Sequence, residues 1–409
     1  MARKKTNKAA KKAPSFLAVD FFCGAGGTTR GLIDAGGYVI AGIDNDARCE
    51  RTYVSNNANA TIDCLPPDFL NLDIFPAADD YPNGQQKILF TKLKKLILHY
   101  QGQVEDVPLL FAICAPCQPF TNLSKKGLTR ERKKAHKRDR NLLSEAAKFV
   151  KRFRPDLILS ENVAGIKKPR YGDVWNDFHK ILESLRYVVG SKVVCTSEFG
   201  IPQNRKRSIL IAVRKNLLRE DHFDDLRSTE LFVPDSDPNA LSVSVRKAIG
   251  SLPPIKAGEA HKKIPNHRAR WLSELNLRRL SCAKPGESNI YMENTKFGDL
   301  SLKCHRKLNK RLRARCFSDV YTRMHPDRPA PTITTKCHSI SNGRFGHFDK
   351  KQVRGISLRE AAILQSFPRN YIFYPEDQTS SVAQMIGNAV PPKLASFFAK
   401  YLKNSIHFD

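Results

Sequence analysis

The feature that most constrains this chain is a series of short, nearly all-apolar runs spread through its first half. Phe16–Phe21, Tyr38–Ile43, Leu109–Cys114, Asp156–Ser160, Tyr187–Cys195 and Ser208–Val213 each have strand length. Continuous rather than alternating apolar runs are expected of strands buried on both faces, as in a helix-covered parallel sheet. Helix-like segments lie between them. Trp175, Phe178, Leu182 and Leu185 share one face of a helix over Val174–Leu185, and Asn141–Phe153 is amphipathic. The expected fold class is α/β, with a mostly parallel, Rossmann-like sheet.

After about Arg219 the pattern changes to more Pro, His and charge with little periodicity. "VPDSDPNA" and "SLPPIKAGEAHKK" read as loops or linkers. Helical patterning returns over Ser357–Phe367 and Pro391–Leu402. The expected organisation is a basic arm over 1–13, a large domain over 14–230, a smaller irregular domain over 231–352, and a segment 353–409 returning to the large domain.

The charge balance narrows the partners. A net charge of +29 favours a polyanion, and nucleic acid is the expected one. The basic N-terminus lacks a following apolar stretch, so it does not read as a secretory signal. No apolar run approaches the roughly 18 residues of a membrane span. The expected location is the cytoplasm, or the nucleoid if the source is bacterial. Ten cysteines without a secretory signal suggest reduced thiols. Cys114 and Cys117 have thioredoxin spacing, but Pro116 and Pro119 argue against the helix that motif opens. Cys282, Cys304, His305, Cys316, Cys337 and His338 lack the paired close spacings of zinc sites, so no metal is expected.

Five motifs carry the chemistry. In "AVDFFCGAGGTTRGL", Gly24, Gly26 and Gly27 sit where a strand passes into a helix, a loop that lets a ligand approach backbone N–H groups. About 20 residues on, the second strand ends at Asp44, where an acid can bind ribose hydroxyls. That pair favours an adenosine-containing cofactor, either NAD or S-adenosylmethionine. Cys117 follows a central strand and is flanked by Lys125–Arg140, with nine Lys/Arg against two acids. Such a field would lower a thiol's pKa and grip phosphates. Glu161 ends another apolar strand at the same edge. Gln203, Arg205 and Arg207 alternate before the next strand, so their side chains share a face.

These motifs, in this order from about Ala18 onward, closely resemble the cytosine-5 DNA methyltransferases of the bacterial, restriction–modification type. Asp20–Gly27 resembles the cofactor loop, Pro116-Cys117-Gln118 the nucleophile motif, Glu161-Asn162-Val163 the acidic motif and Gln203–Arg207 the Gln-x-Arg-x-Arg motif. "SLREAAILQSFP" and "QMIGNAVPP" are similar to the two C-terminal motifs. The resemblance implies S-adenosylmethionine as methyl donor and double-stranded DNA as substrate. Phe22 would stack on the adenine, Asp44 hold the ribose and Asp73 contact the adenine amino group. Leu143 would line the cofactor pocket, with Pro116 at its reactive edge and Asn388 and Val390 near the methionine end. Cys117 would attack C6 of a flipped-out cytosine. Glu161 would hydrogen-bond N3, Arg207 would contact O2, and Arg205 would brace the site. Ser124–Arg140 would be a mobile loop closing over the base, and the small domain would recognise the target sequence.

Ala115, Thr121 and Asn141 depart from the commoner family residues without removing a catalytic group. Thr121 matches the tRNA-methylating branch, which is the runner-up reading. A non-catalytic DNA-binding relative is a third, opposed by intact Cys117, Glu161 and Arg207. A monomer is expected, and a partner restriction endonuclease acting on the same site is compatible with this type.

Overall fold

The computed structural model describes residues 13–79, 81–116, 138–167, 174–219, 232–289, 292–302 and 318–407. The basic arm, Cys117 and most of the basic run Lys125–Arg140 lie outside the described residues. The chain folds into two compact units. The first joins Met1–Val193, Ser208–Val233 and Ala395–Asp409, and the second Val194–Arg207 and Pro234–Leu394. Residues 353–394 thus group with 234–352.

The first unit is α/β. Its strands are β1 (Leu17–Phe21), β2 (Tyr38–Asp44), β3 (Asp68–Asn71), β4 (Leu109–Ile113), β5 (Leu157–Val163), β6 (Tyr187–Cys195) and β8 (Lys206–Arg214). They form a seven-stranded sheet in the order β3-β2-β1-β4-β5-β8-β6. The pairs β3/β2, β2/β1, β1/β4 and β4/β5 are parallel. Every residue of β1 and β4 is buried, which is why their sequences are uniformly apolar apart from Asp20. The chain runs outward from β1 to β3, then returns to β4 on the other side of β1. The strand order therefore reverses between β1 and β4, where ligands of open α/β sheets bind.

Helices α1 (Gly27–Asp34), α2 (Glu50–Asn56), α3 (Gln86–Gln101), α4 (Leu142–Phe153) and α5 (Val174–Ser184) connect these strands. α3 buries Leu89, Leu93 and Ile97, four residues apart and so on one face. α4 buries Leu142, Leu143, Ala146, Phe149 and Val150. Phe149 meets Phe21 of the sheet edge-on at 5.4 Å and stacks on Phe90 of α3 at 4.2 Å. Truncating such a buried ring costs about 3–5 kcal/mol.

The second unit has less regular structure. It holds β7 (Gln203–Asn204) paired with β9 (Ala330–Pro331), and helices α6 (Val245–Ile249), α7 (Glu274–Cys282), α8 (Leu358–Leu364) and α9 (Thr379–Asn388). α10 (Pro392–Asn404) follows. Irregular backbone leaves carbonyls that helices and sheets would otherwise satisfy. Buried arginines take that part here. Arg323 donates to the carbonyls of Leu280, His347, Asp349 and Gln352, and Arg359 to those of Pro265 and Tyr371. Arg354 makes a bidentate pair with Glu360, at 2.8 and 2.7 Å, and Glu360 closes a capping box with Ser357 at the start of α8. Among the described residues no helix is long and apolar enough to cross a membrane.

Candidate active site at the carboxyl edge of the sheet

Five parallel strands deliver their C-terminal ends to one edge. Read along it, Asp73 follows β3, Asp44 ends β2, Phe22–Gly24 follow β1, Pro116 follows β4, and Glu161 lies near the end of β5. Adjacent strands are about 4.8 Å apart, so these groups span roughly 20 Å.

The Gly-rich turn is built by backbone conformation. Phe22 takes φ 62°, Gly24 φ 49° and Gly26 φ 87°, and Gly26 caps α1. Gly24 N–H donates to Asp44 Oδ2 at 2.8 Å, and Asp46 N–H donates to Asp44 Oδ1 at 2.9 Å. Burial raises the Asp44 pKa above the ordinary carboxylate value, and these N–H groups oppose that shift. A carboxylate offers about four lone-pair sites, so each oxygen keeps capacity for a ribose hydroxyl. A Cβ added at Gly24 would meet nothing within 4 Å, so the loop borders open space. This edge fits an adenosyl cofactor. Asp73 is buried, with Oδ1 accepting from Phe75 N–H at 2.9 Å and Oδ2 accepting from the Tyr81 hydroxyl. Leu143 is buried in the core beside α4's other apolar residues.

The β4–β5 end is pinned by side chains. Ser160 Oγ donates to the Ile113 carbonyl at 2.6 Å and Asn162 Nδ2 to the Ala115 carbonyl at 3.1 Å. Between them lies Glu161, buried, in a strand that continues to Val163, three residues beyond the sequence expectation. Cys114 falls just after β4 rather than inside it. Burial, then the charges of Glu161 and Asp20, push its thiol pKa well up, away from the thiolate form. Pro116 is exposed and is the last described residue before Cys117.

Gln203 and Arg205, with Arg207 at the start of β8, are all buried, whereas Asn204 and Lys206 between them are exposed. The alternation is as expected for extended chain. Gln203 accepts from Ile333 N–H at 2.7 Å and donates to Gln365 Oε1 at 2.7 Å. Arg205 Nη1 donates to the Ile333 carbonyl at 2.9 Å and to the Gly387 carbonyl at 3.1 Å. Arg207 Nη1 donates to the Lys206 carbonyl at 2.7 Å. Asn388 is exposed at the end of α9 and Val390 is buried two residues on. Sequence reading missed Thr29, Tyr53, Tyr81 and Arg138. Thr29 donates to the buried Asp20 at 2.6 Å, its hydroxyl oxygen lies 3.1 Å from that of Tyr53, and Tyr81 bonds Asp73. Nothing local in the sequence marks these pairings.

A Rossmann-like α/β sheet with a glycine loop and two strand-end acids at its switch point defines a nucleoside-cofactor enzyme. The family model for C-5 cytosine-specific DNA methylase matches residues 93–404. The Type II methylase M.HgiDII of Herpetosiphon aurantiacus is 35% identical over 387 residues, covering 94% of each chain. The Type II methyltransferase M1.HphI of Haemophilus parahaemolyticus is 28% identical over 389 residues, 94% of this chain and 86% of that one. Among solved structures, a protein described as a DNA modification methyltransferase of an E. coli prophage superimposes with TM-score 0.64. It shares 19% identity, over 96% of this chain and 99% of that one, and supports the fold. The chain belongs to the C-5 cytosine-specific DNA methylase family, in its bacterial restriction–modification type. It is a DNA (cytosine-5) methyltransferase that uses S-adenosylmethionine. That outcome favours the DNA reading over the tRNA and non-catalytic alternatives.

Proposed function

We propose that Cys117 is the nucleophile, with Glu161 and Arg207 as its partners on the base. The observation that supports this reading is the pinned β4–β5 end. It carries the chain to Pro116 beside buried Glu161, one strand from the glycine loop. C5 of cytosine is a poor nucleophile. The Cys117 thiolate adds to C6, and its electron pair shifts ring density onto C5 and N3. Glu161 supplies the proton held at N3, and Arg207 stabilises charge at O2. Bound S-adenosylmethionine supplies an electrophilic methyl group for C5. Loss of the C5 proton to a base then forms the C5–C6 double bond and expels the thiolate, and the N3 proton returns to Glu161. The target must leave the duplex to be reached.

Phe22, Gly24, Gly26, Gly27, Asp44, Asp73, Leu143 and Pro116 hold the cofactor in this reading, with Asn388 and Val390 near its methionine end. Arg205 braces the Arg207 strand through Ile333 and Gly387. Residues 231–352 read the target sequence. The enzyme acts as a monomer on nucleoid DNA, and its partner is a restriction endonuclease cutting the same unmethylated site.

The test uses duplex DNA with fluorine at C5 of the target cytosine, where no C5 proton can be lost. The protein should remain covalently linked only when S-adenosylmethionine is present. Cys117→Ala should abolish the adduct and Cys114→Ala should keep it. Trapping that survives Cys117→Ala would overturn the assignment. Bisulfite sequencing of DNA from expressing cells would identify the target for that duplex.

A further inference from the structure

Asp73 lies past the end of β3, the edge strand of the sheet, in a stretch without regular structure. The carboxylate there is held by its surroundings. Asn45, one residue past β2, donates to its Oδ2 at 3.5 Å. Phe75 N–H binds Oδ1 at 2.9 Å, and the Tyr81 hydroxyl donates to Oδ2. The same hydroxyl oxygen accepts from Arg138 Nη1 at 2.9 Å. The Arg138 guanidinium lies 5.3 Å from the Tyr81 ring centroid and 5.8 Å from that of Phe75. Those two rings meet edge-on at 5.6 Å.

We propose that Tyr81 and Arg138 are positioning residues of the cofactor site, holding Asp73 toward the adenine amino group through an Arg138–Tyr81–Asp73 chain. The inference rests on the reading of Asp73 as the adenine acceptor. A cationic donor on the phenol oxygen polarises the O–H toward the carboxylate, and such chains strengthen their own links. Burial, and then the hydrogen bond to Asp73, raise the Tyr81 pKa, so the phenol keeps the proton it donates. The guanidinium also makes cation–π contacts with the two rings.

The arrangement also separates Arg138 from the other cations of Lys125–Arg140. It is engaged inward, with Tyr81 and with Asp139 at 3.2 Å, rather than directed at a phosphate. It stands at the C-terminal foot of that basic run. Cofactor affinity therefore depends on where this foot is anchored, although Arg138 does not touch the cofactor in this reading.

Calorimetry with S-adenosylhomocysteine and with its 6-oxo counterpart, which lacks the adenine amino donor, tests the chain. Losing one charge-assisted link should weaken S-adenosylhomocysteine binding by about tenfold in Tyr81→Phe and in Arg138→Ala. The double variant should be no weaker than the worse single one. Binding of the 6-oxo ligand should hardly change, so the preference for the amino ligand shrinks. Tyr81→Phe keeps the ring and preserves the fold if Arg138→Ala does not. Arg138→Lys should rescue only in part. Wild-type affinity in both single variants, or equal weakening of both ligands, would overturn the proposal. Asp73→Ala is measured alongside. If it binds normally, the reading of Asp73 fails and the chain with it. If it binds weakly while the other two bind normally, only the chain fails.

Discussion

The Arg205 guanidinium donates to the Gly387 carbonyl at 3.1 Å, one residue before Asn388 ends α9. A Cβ added at Gly387 would lie 2.3 Å from backbone atoms of Thr334 and Thr335. The close approach that Arg205 spans is thus possible only for glycine. Gly387→Ala should cost on the order of 1–3 kcal/mol through forced backbone shifts. Arg205→Lys should cost a similar amount, because the shorter lysine stem does not carry its ammonium to the point from which Nη1 reaches both carbonyls. Denaturant midpoints test both, and an unchanged midpoint for Gly387→Ala would show that the contact is loose.

Asp20 is fully buried in β1, and burial pushes its pKa up to about 7. Its Oδ2 accepts from Thr29, and Oδ1 has no hydrogen-bond partner among the described residues. Between about pH 4 and 7 the folded protein holds a proton there that the unfolded chain has released. Its contribution to stability is therefore greatest near pH 4 and is lost as pH rises toward 7, by on the order of a few kcal/mol. His347, held down to about 4 chiefly by burial, has the opposite dependence. The comparison must then be with Asp20→Asn, whose stability should rise relative to wild type across this window. A constant difference between the two proteins from about pH 4.5 to 7.5 would contradict the assignment.

Much of this domain is legible in the sequence because its strands are buried on both faces. β1, β2, β4, β6 and β8 fall within two residues of their expected limits. β3 is a four-residue edge strand with only Leu70 buried, too short and too polar to stand out. α3 carries its Leu89, Leu93 and Ile97 stripe, but Ile88 and Leu98 are exposed apolar residues that blur the face. In the second unit, Arg323, Arg354 and Arg359 are charged and yet fully buried. Their partners are mostly carbonyls brought near by the fold, which no local spacing announces. The site is legible in the same uneven way. Asp44 and Glu161 stand at strand ends and can be found by position, whereas the Tyr81–Arg138 contact spans 57 residues.

Asp44 anchors the glycine loop and, in the proposed function, the ribose. Asp44→Ala should weaken S-adenosylhomocysteine binding by roughly 1–3 kcal/mol, the cost of removing hydrogen bonds to a charged group. The Gly24 N–H loses its acceptor at the same time, so exchange protection at Gly24 should fall. Calorimetry giving wild-type affinity in a folded variant would remove Asp44 from the cofactor site.

The grip on DNA should be strongly electrostatic, given a net charge of +29. The logarithm of affinity should fall with that of salt concentration by about 0.9 per phosphate neutralised. Lys133, Lys134 and Lys137 lie in the basic run outside the described residues. Replacing all three with Ala should flatten the slope, whereas Arg138→Ala should change it little because that side chain faces Tyr81. An identical slope in the triple variant would place those lysines in solvent.

The division of the chain carries a consequence for how the enzyme is made. The backbone passes between the two units at 193/194, 207/208, 233/234 and 394/395. The last stretch closes the first unit. Arg219 N–H donates to the Ser405 carbonyl, His407 N–H to the Leu217 carbonyl, and the Tyr401 hydroxyl to the Phe232 carbonyl. Chains emerge from the ribosome at about 5–20 residues per second, so roughly 10–40 s separate residue 193 from residue 395. Once β8 has followed, for most of that interval, the sheet has its apolar strands but not α10. A nascent chain is therefore exposed to aggregation through its uncovered apolar strands over that interval.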